Sequence, residues 1–299
     1  MKQLITLSLL IALQCFGVRA QMPIVLSDDT VAIGTSRMPA ISVDIPEVDY
    51  DKALKEWVKT LQTGTKSKVV TENSEMSIFG ARIKAISSNT LNVYSRMTKL
   101  DQAVRLSAAF ELKKDQYIDK ASGAAEYINA QKYLKGFAKA RYIELAKEQA
   151  DVEEKKSRNL EKELSSLEKE KSKLKKSIQS DNSNIMSQRE SVVTTQNNEL
   201  PAIGAALEQA RAEYATMEEG PAKKEKEVAI KDLEKRQKKA LRSIESSEKK
   251  IEKSTSSIRE ANSDIPKNEK MQENVREQIS QQNAVYQSYV DKLKRIRSF

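Results

Sequence analysis

The sequence predicts a small α+β head, one helix on an antiparallel sheet in the order β-α-β-β-β-β, followed by a long α-helical coiled coil that folds as an antiparallel hairpin with its apex at Gly220-Pro221. Three observations carry this reading. Apolar residues alternate in short runs between positions 40 and 123, they recur at three- and four-residue spacings beyond position 160, and the helical stretches flanking Gly220-Pro221 are nearly equal in length. Composition agrees, because 32% of the 299 residues are charged and only 5% are aromatic. A compact core of that length draws on more large apolar side chains than this.

Residues 1–20 read as a secretory signal peptide. Lys2 supplies the positive start, Leu4 to Val18 the apolar stretch, and Val18-Arg19-Ala20 a small residue before the cut at Gln21. A membrane-spanning helix needs ~20 apolar residues, and this run is shorter and interrupted by Thr6, Ser8 and Gln14. Nothing later is apolar for long enough to span a bilayer, so no integral membrane segment is expected after cleavage. The single cysteine, Cys15, lies in the leader, and no Asn-X-Ser/Thr sequon occurs. An exported chain of this kind fits the periplasm or extracellular space, with a bacterial envelope favoured.

Residues 21–39 show no period and are expected to form a flexible lead-in. The head spans 40–123. AISVDIP, from Ala40 to Pro46, alternates and is stopped by proline. Asp49 is placed to cap a helix from Tyr50 to about Leu61, in which Ala53, Leu54, Trp57, Val58 and Leu61 share one stripe, with Trp57 as the core anchor. Four further strand-like runs follow, KSKVVTE, MSIFGARIKAI, TLNVYSRM and AVRLSAAFEL, separated by Asn/Ser clusters. Residues 124–141 are read as a connecting helix whose Tyr127, Ala130, Leu134 and Phe137 fold back on the sheet.

The coiled-coil hairpin is assigned to 142–299. Its first seam is Leu160, Leu164, Leu167, Leu174, Ile178 and Ile185, if Lys171 and Asp181 are accepted as polar members. A one-residue skip falls at Asn197-Asn198, after which the pattern resumes. The second seam keeps phase through Leu233, Ile244, Ile251, Ile258, Ile265, Val275, Ile279 and Leu293. Glycine ends helices and proline starts them, which makes Gly220-Pro221 a natural apex. A parallel two-chain coil kinked at this point is the competing arrangement. Pro201 and Pro266 are kinks or helix starts, and the pattern alone leaves both open.

The chain has no histidine. Serine-histidine and cysteine-histidine nucleophiles and imidazole or thiolate metal sites are therefore excluded from the exported chain. No glycine-rich phosphate loop is present. The Ser-x-x-Lys spacings at Ser166/Lys169, Ser172/Lys175 and Ser247/Lys250 are expected by chance in a coil rich in both residues. No catalytic, cofactor-binding or metal-binding residue is nominated, and no cofactor is expected; an enzyme in the head would need Asp44, Glu72 or Glu75 to converge in a pocket. The full chain carries 52 basic and 43 acidic residues, a net +9. These charges are of mixed sign along the chain, which argues against nucleic acid. Lys292, Lys294, Arg295 and Arg297 form the one local basic run, able to touch an anionic surface or to answer the helix dipole.

The sequence thus points to a non-enzymatic exported envelope protein, a structural spacer, adaptor or assembly element with a small binding head. Its expected partners are envelope proteins, with self-association through the coil. The alternative is a periplasmic holdase-type chaperone for envelope proteins.

Overall fold

A computed structural model describes residues 22–121 and 124–298. The stretch read as a signal peptide, Cys15 and Phe299 lie outside the described residues. The head opens with β1 (Leu26–Ile33) and β2 (Ser36–Pro46), continues with α1 (Tyr50–Gln62), and completes its sheet with β3 (Val70–Glu72), β4 (Glu75–Ala81), β5 (Leu91–Lys99), β6 (Ala103–Lys113) and β7 (Gln116–Tyr117). Three helices follow: α2 (Ala124–Thr194), α3 (Leu200–Thr216) and α4 (Pro221–Ser298). The chain divides into two units, Met1–Ser157 with Gln281–Phe299, and Arg158–Ser280.

The sheet is antiparallel, with strand order β1-β2-β6-β5-β4-β3 and β7 paired to β6. Two strands go beyond the predicted β-α-β-β-β-β. The segment read as a lead-in forms β1, which pairs with β2 over its whole length from Leu26↔Val43 to Ile33↔Ser36. The short β7 returns after a two-residue turn in which Asp115 adopts φ +58°. Both additions are edge or near-edge elements, where alternation is weakest because little of the strand is enclosed.

Helix α1 begins where its cap allows: Asp49 Oδ1 accepts from Lys52 N at 2.9 Å. Its inner stripe of Ala53, Trp57 and Leu61 is buried. Trp57 is 0% exposed, donates from Nε1 to Ser95 Oγ at 2.9 Å, and meets Phe137 of α2 edge-on at 5.0 Å between centroids. The same core takes Ile41, Val43 and Ile45 of β2, Val93 and Met97 of β5, and Leu106 and Phe110 of β6. Tyr127, Ala130, Leu134 and Phe137 lie on the α2 stripe that closes it.

The remaining helices are continuous where the sequence left doubt. Pro266 lies inside α4. Pro201 follows a π-helical turn, Thr195–Glu199, that connects α2 to α3. The one-residue skip at Asn197-Asn198 falls within this turn. A π turn inserts one residue into the helical count, so it restores the phase that the skip would otherwise shift, and Pro201 can follow because it has no N–H to contribute.

Candidate functional site

Within the first unit, the two helices α2 and α4 meet at Glu47, on a strained turn. This residue leaves β2 with φ +61°, a left-handed backbone that a non-glycine residue adopts only when its surroundings hold it there. Its N–H donates to Gln102 O at 2.9 Å. Its carboxylate accepts from Tyr142 Oη at 3.3 Å and from Lys292 Nζ at 2.6 Å. Lys292 also donates to Gln149 Oε1 at 3.1 Å, and its ammonium lies 5.5 Å from the centroid of the Tyr142 ring. Tyr142, Ala146 and Ile296 are fully enclosed beside Leu293. Burial, then the charge and hydrogen bond of Glu47, push the Tyr142 phenol well above the ordinary tyrosine range. It therefore stays a neutral donor and cannot act as a nucleophile or base near neutral pH.

Ion pairs extend the joint. Lys52 of α1 reaches Glu148 at 2.5 Å and Glu144 at 3.5 Å, while Arg141 reaches Glu144 at 2.7 Å and Glu56 at 3.4 Å. The terminal cations are placed unequally. Lys292 is only 15% exposed in its side chain, Lys294 pairs with Asp291 at 3.3 Å, and the Arg297 carbonyl accepts from Lys139. Arg295 also has an interaction partner.

The outer face of the sheet carries a second polar arrangement. Asp29 Oδ2 accepts from Ser42 Oγ at 2.5 Å and Ser107 Oγ at 3.3 Å. Asp44 forms a two-pronged pair with Arg105, and Glu75 pairs with Arg96 and accepts from Gly34 N at 3.0 Å. Asp44 and Glu75 are thus held by separate cations, and the exposed Glu72 sits opposite Glu75 across β3 and β4. A β-bulge between Ile78 and Ala81, with Gly80 at φ +70°, turns Phe79 outward, 55% exposed. Phe79 then meets Tyr94 edge-to-face with centroids 6.0 Å apart, and Tyr94 meets Tyr117 at a tilt with centroids 6.5 Å apart. Beneath it, Glu111 accepts from Asn92 at 2.8 Å, Tyr94 at 3.1 Å and Asp115 N at 2.9 Å.

In the second unit, the seam residues Leu160, Leu164, Leu167, Leu174, Ile178, Ile185, Leu233, Ile251, Ile258, Ile265 and Ile279 are half-buried, and Ile244 and Val275 are buried. Polar residues share the seam: Asn268 and Gln272 are buried, with Asn268 donating to Glu170 at 3.1 Å and Gln272 to Asn268 at 2.7 Å. Ion pairs join Glu168 to Arg276, Lys171 to Glu269 and Arg211 to Glu234, at 3.1, 2.7 and 2.7 Å, and Glu213 to Lys226. Gly220 lies between the end of α3 and the start of α4, and Pro221 is the first residue of α4.

Sequence reasoning missed Glu47 and Tyr142, because their partners lie 95 and 245 residues away and no local pattern announces them. Among the described residues, no group of three or more His, Cys, Asp or Glu side chains is arranged to hold a metal ion. No protein-family model matches the chain, and no curated protein matches its sequence.

Proposed function

We propose that the protein is a non-enzymatic, exported spacer or adaptor of the cell envelope, in which a small head binds a protein partner and a coiled-coil hairpin sets distance or recruits a second partner. The observation that carries this reading is the α4 seam. From Lys226 to Ile296 every position at alternating four- and three-residue spacing is buried or half-buried, without a slip. Such a run has the spacing of a helix that keeps one face against another helix. The ion pairs within the second unit support the antiparallel sense, since the α4 partner number falls from 276 to 226 as the α2 and α3 number rises from 168 to 213. The break between Thr216 and Pro221 supports a turn there. No helix among the described residues is long and apolar enough to cross a membrane.

The test is photo-cross-linking in the producing cell, with the probe at Val70 on the sheet edge or at Met186 on α2, both exposed. An adaptor gives discrete protein adducts from the envelope fraction, different at the two positions. Absence of adducts at both, or recovery of the protein only from the cytosol, overturns the proposal. Suppression of client aggregation by the purified protein, with a ladder of unrelated adducts at Met186, points instead to the holdase.

A further inference from the structure

The regional charge balance of the coil hides a concentrated feature of its second arm. Between Lys235 and Lys253 there are eight cations against three carboxylates. Their helical positions align them. Lys235, Arg242 and Lys249 recur every seven residues, two turns of helix, and Lys239 and Lys253 fall on the adjacent row with Ser246 between them. All are exposed on α4. Arg242, Ser246, Lys249, Lys250 and Lys253 line, with Glu245, an open concavity of about 400 Å3. Of the five cations aligned in these rows, only Lys249 is held in an ion pair, with Glu245. Lys235, Lys239, Arg242 and Lys253 are exposed, and the Lys249 hydrogen bond, helped by the Arg242 charge, holds the Glu245 carboxyl below its ordinary range.

One apolar side chain stands with the stripe: Val228, 67% exposed, lies one heptad before Lys235 on the same row. A polyanionic polymer would gain nothing from it, whereas the boundary between headgroups and acyl chains takes up an exposed apolar side chain while phosphates meet the cations. A straight helical face also meets a plane along a line, so all five cations approach it together.

We propose that this α4 face, Val228 to Lys253, is a docking surface for a bilayer bearing anionic phospholipid headgroups. The contact is peripheral. Lysine and arginine heads engage phosphates, Ser246 lies among them as a hydroxyl donor, and Val228 dips into the interface.

The test is co-sedimentation of the chain from residue 21 onward, which holds every described element, with phosphatidylcholine vesicles made with and without phosphatidylglycerol. Binding is expected only to the anionic vesicles and is expected to weaken with salt. The quadruple variant Lys235→Gln/Lys239→Gln/Arg242→Gln/Lys253→Gln should bind at least about tenfold more weakly. A control with the same charge removed from the other arm, Lys162→Gln/Lys169→Gln/Lys173→Gln/Lys176→Gln, should keep most of the affinity, and Val228→Gln should weaken binding without altering its salt dependence. Helical ellipticity is recorded for each variant, and because the four cations make no ion pairs their loss should leave it unchanged. No binding to anionic vesicles, or equal losses in the two quadruple variants, overturns the proposal. Binding to polyphosphate but not to vesicles overturns it in favour of a soluble polyanion.

Discussion

In the head, Trp57, Leu106 and Phe110 are wholly enclosed, whereas in the 158–280 unit Leu164, Leu174 and Ile178 keep part of their surface in water. The difference follows from layer number. A sheet covered by α1 and the start of α2 surrounds a side chain on all sides, whereas a long helix outside such a layered core encloses only one stripe of its surface. Stability in the head is therefore concentrated in a few large residues. In the helical unit it is spread thinly over many turns, with polar residues such as Asn268 and Gln272 tolerated because they satisfy one another.

The largest effect expected from this contrast is at Leu106. Leu106→Ala should destabilise the head by roughly 2–5 kcal/mol, since the cavity it leaves cannot be filled by water or by collapse of a rigid sheet. The sole tryptophan, Trp57, reports this directly through its fluorescence on urea unfolding. Leu174→Ala should cost less, about 1–2 kcal/mol, because the side chain is only half removed from water in the folded state. Its transition should be read by helical ellipticity. Equal losses at the two leucines would break the contrast.

Next comes Tyr142→Phe, which keeps the ring against Lys292 and removes only the hydrogen bond to Glu47. A loss of about 1 kcal/mol is expected, measured by thermal unfolding. The pH response of the head should run through an enclosed carboxyl. Burial pushes the Glu111 carboxyl up, but the hydrogen bonds from Asn92, Asp115 N and Tyr94 outweigh it and leave the group below the ordinary range. A lowered folded value means that the contribution is complete above the unfolded value of about 4.3 and is lost as pH falls through the folded one. Glu111→Gln should remove that part of the acid sensitivity. Tyr94 behaves in the opposite sense: burial, followed by its bond to the Glu111 carboxylate, pushes its phenol up to about 12. Its contribution is present below the unfolded value of about 10 and fades as pH rises through the folded one. Ultraviolet titration of Tyr94→Phe should lack one of the late-ionising tyrosines, with Tyr142 still ionising last. The smallest effect is expected at the exposed Arg211–Glu234 pair, where Arg211→Ala should change stability by less than about 1 kcal/mol.

The same contrast explains what the sequence made legible. Helix α1 was readable because its cap, Asp49, and its stripe, Ala53, Trp57 and Leu61, lie within one short window. The long helical stretches were readable because a 3,4 spacing is local and repeats. Strand β1 was not, because LSDDTVAI places two aspartates where strands seldom carry them. Their reason is distant: Asp29 meets Ser42 and Ser107, and Asp28 meets Tyr127 and Lys120. The Glu47 joint was hidden for the same cause. The cationic stripe escaped a regional charge count because glutamates elsewhere on the arm cancel it in sum but not in space.

The central claim is that the two helical arms of one chain pair in antiparallel register. Since Cys15 is the only cysteine and lies in the predicted leader, a Lys171→Cys/Glu269→Cys variant starting at residue 21 has just two thiols. These positions are joined by an ion pair of 2.7 Å in the folded chain. Treatment with a short bis-maleimide at low protein concentration should give an internally linked monomer of altered mobility in high yield. A covalent dimer as the main product, or no linkage where the protein remains fully helical, would contradict the hairpin and favour a coil formed between separate chains.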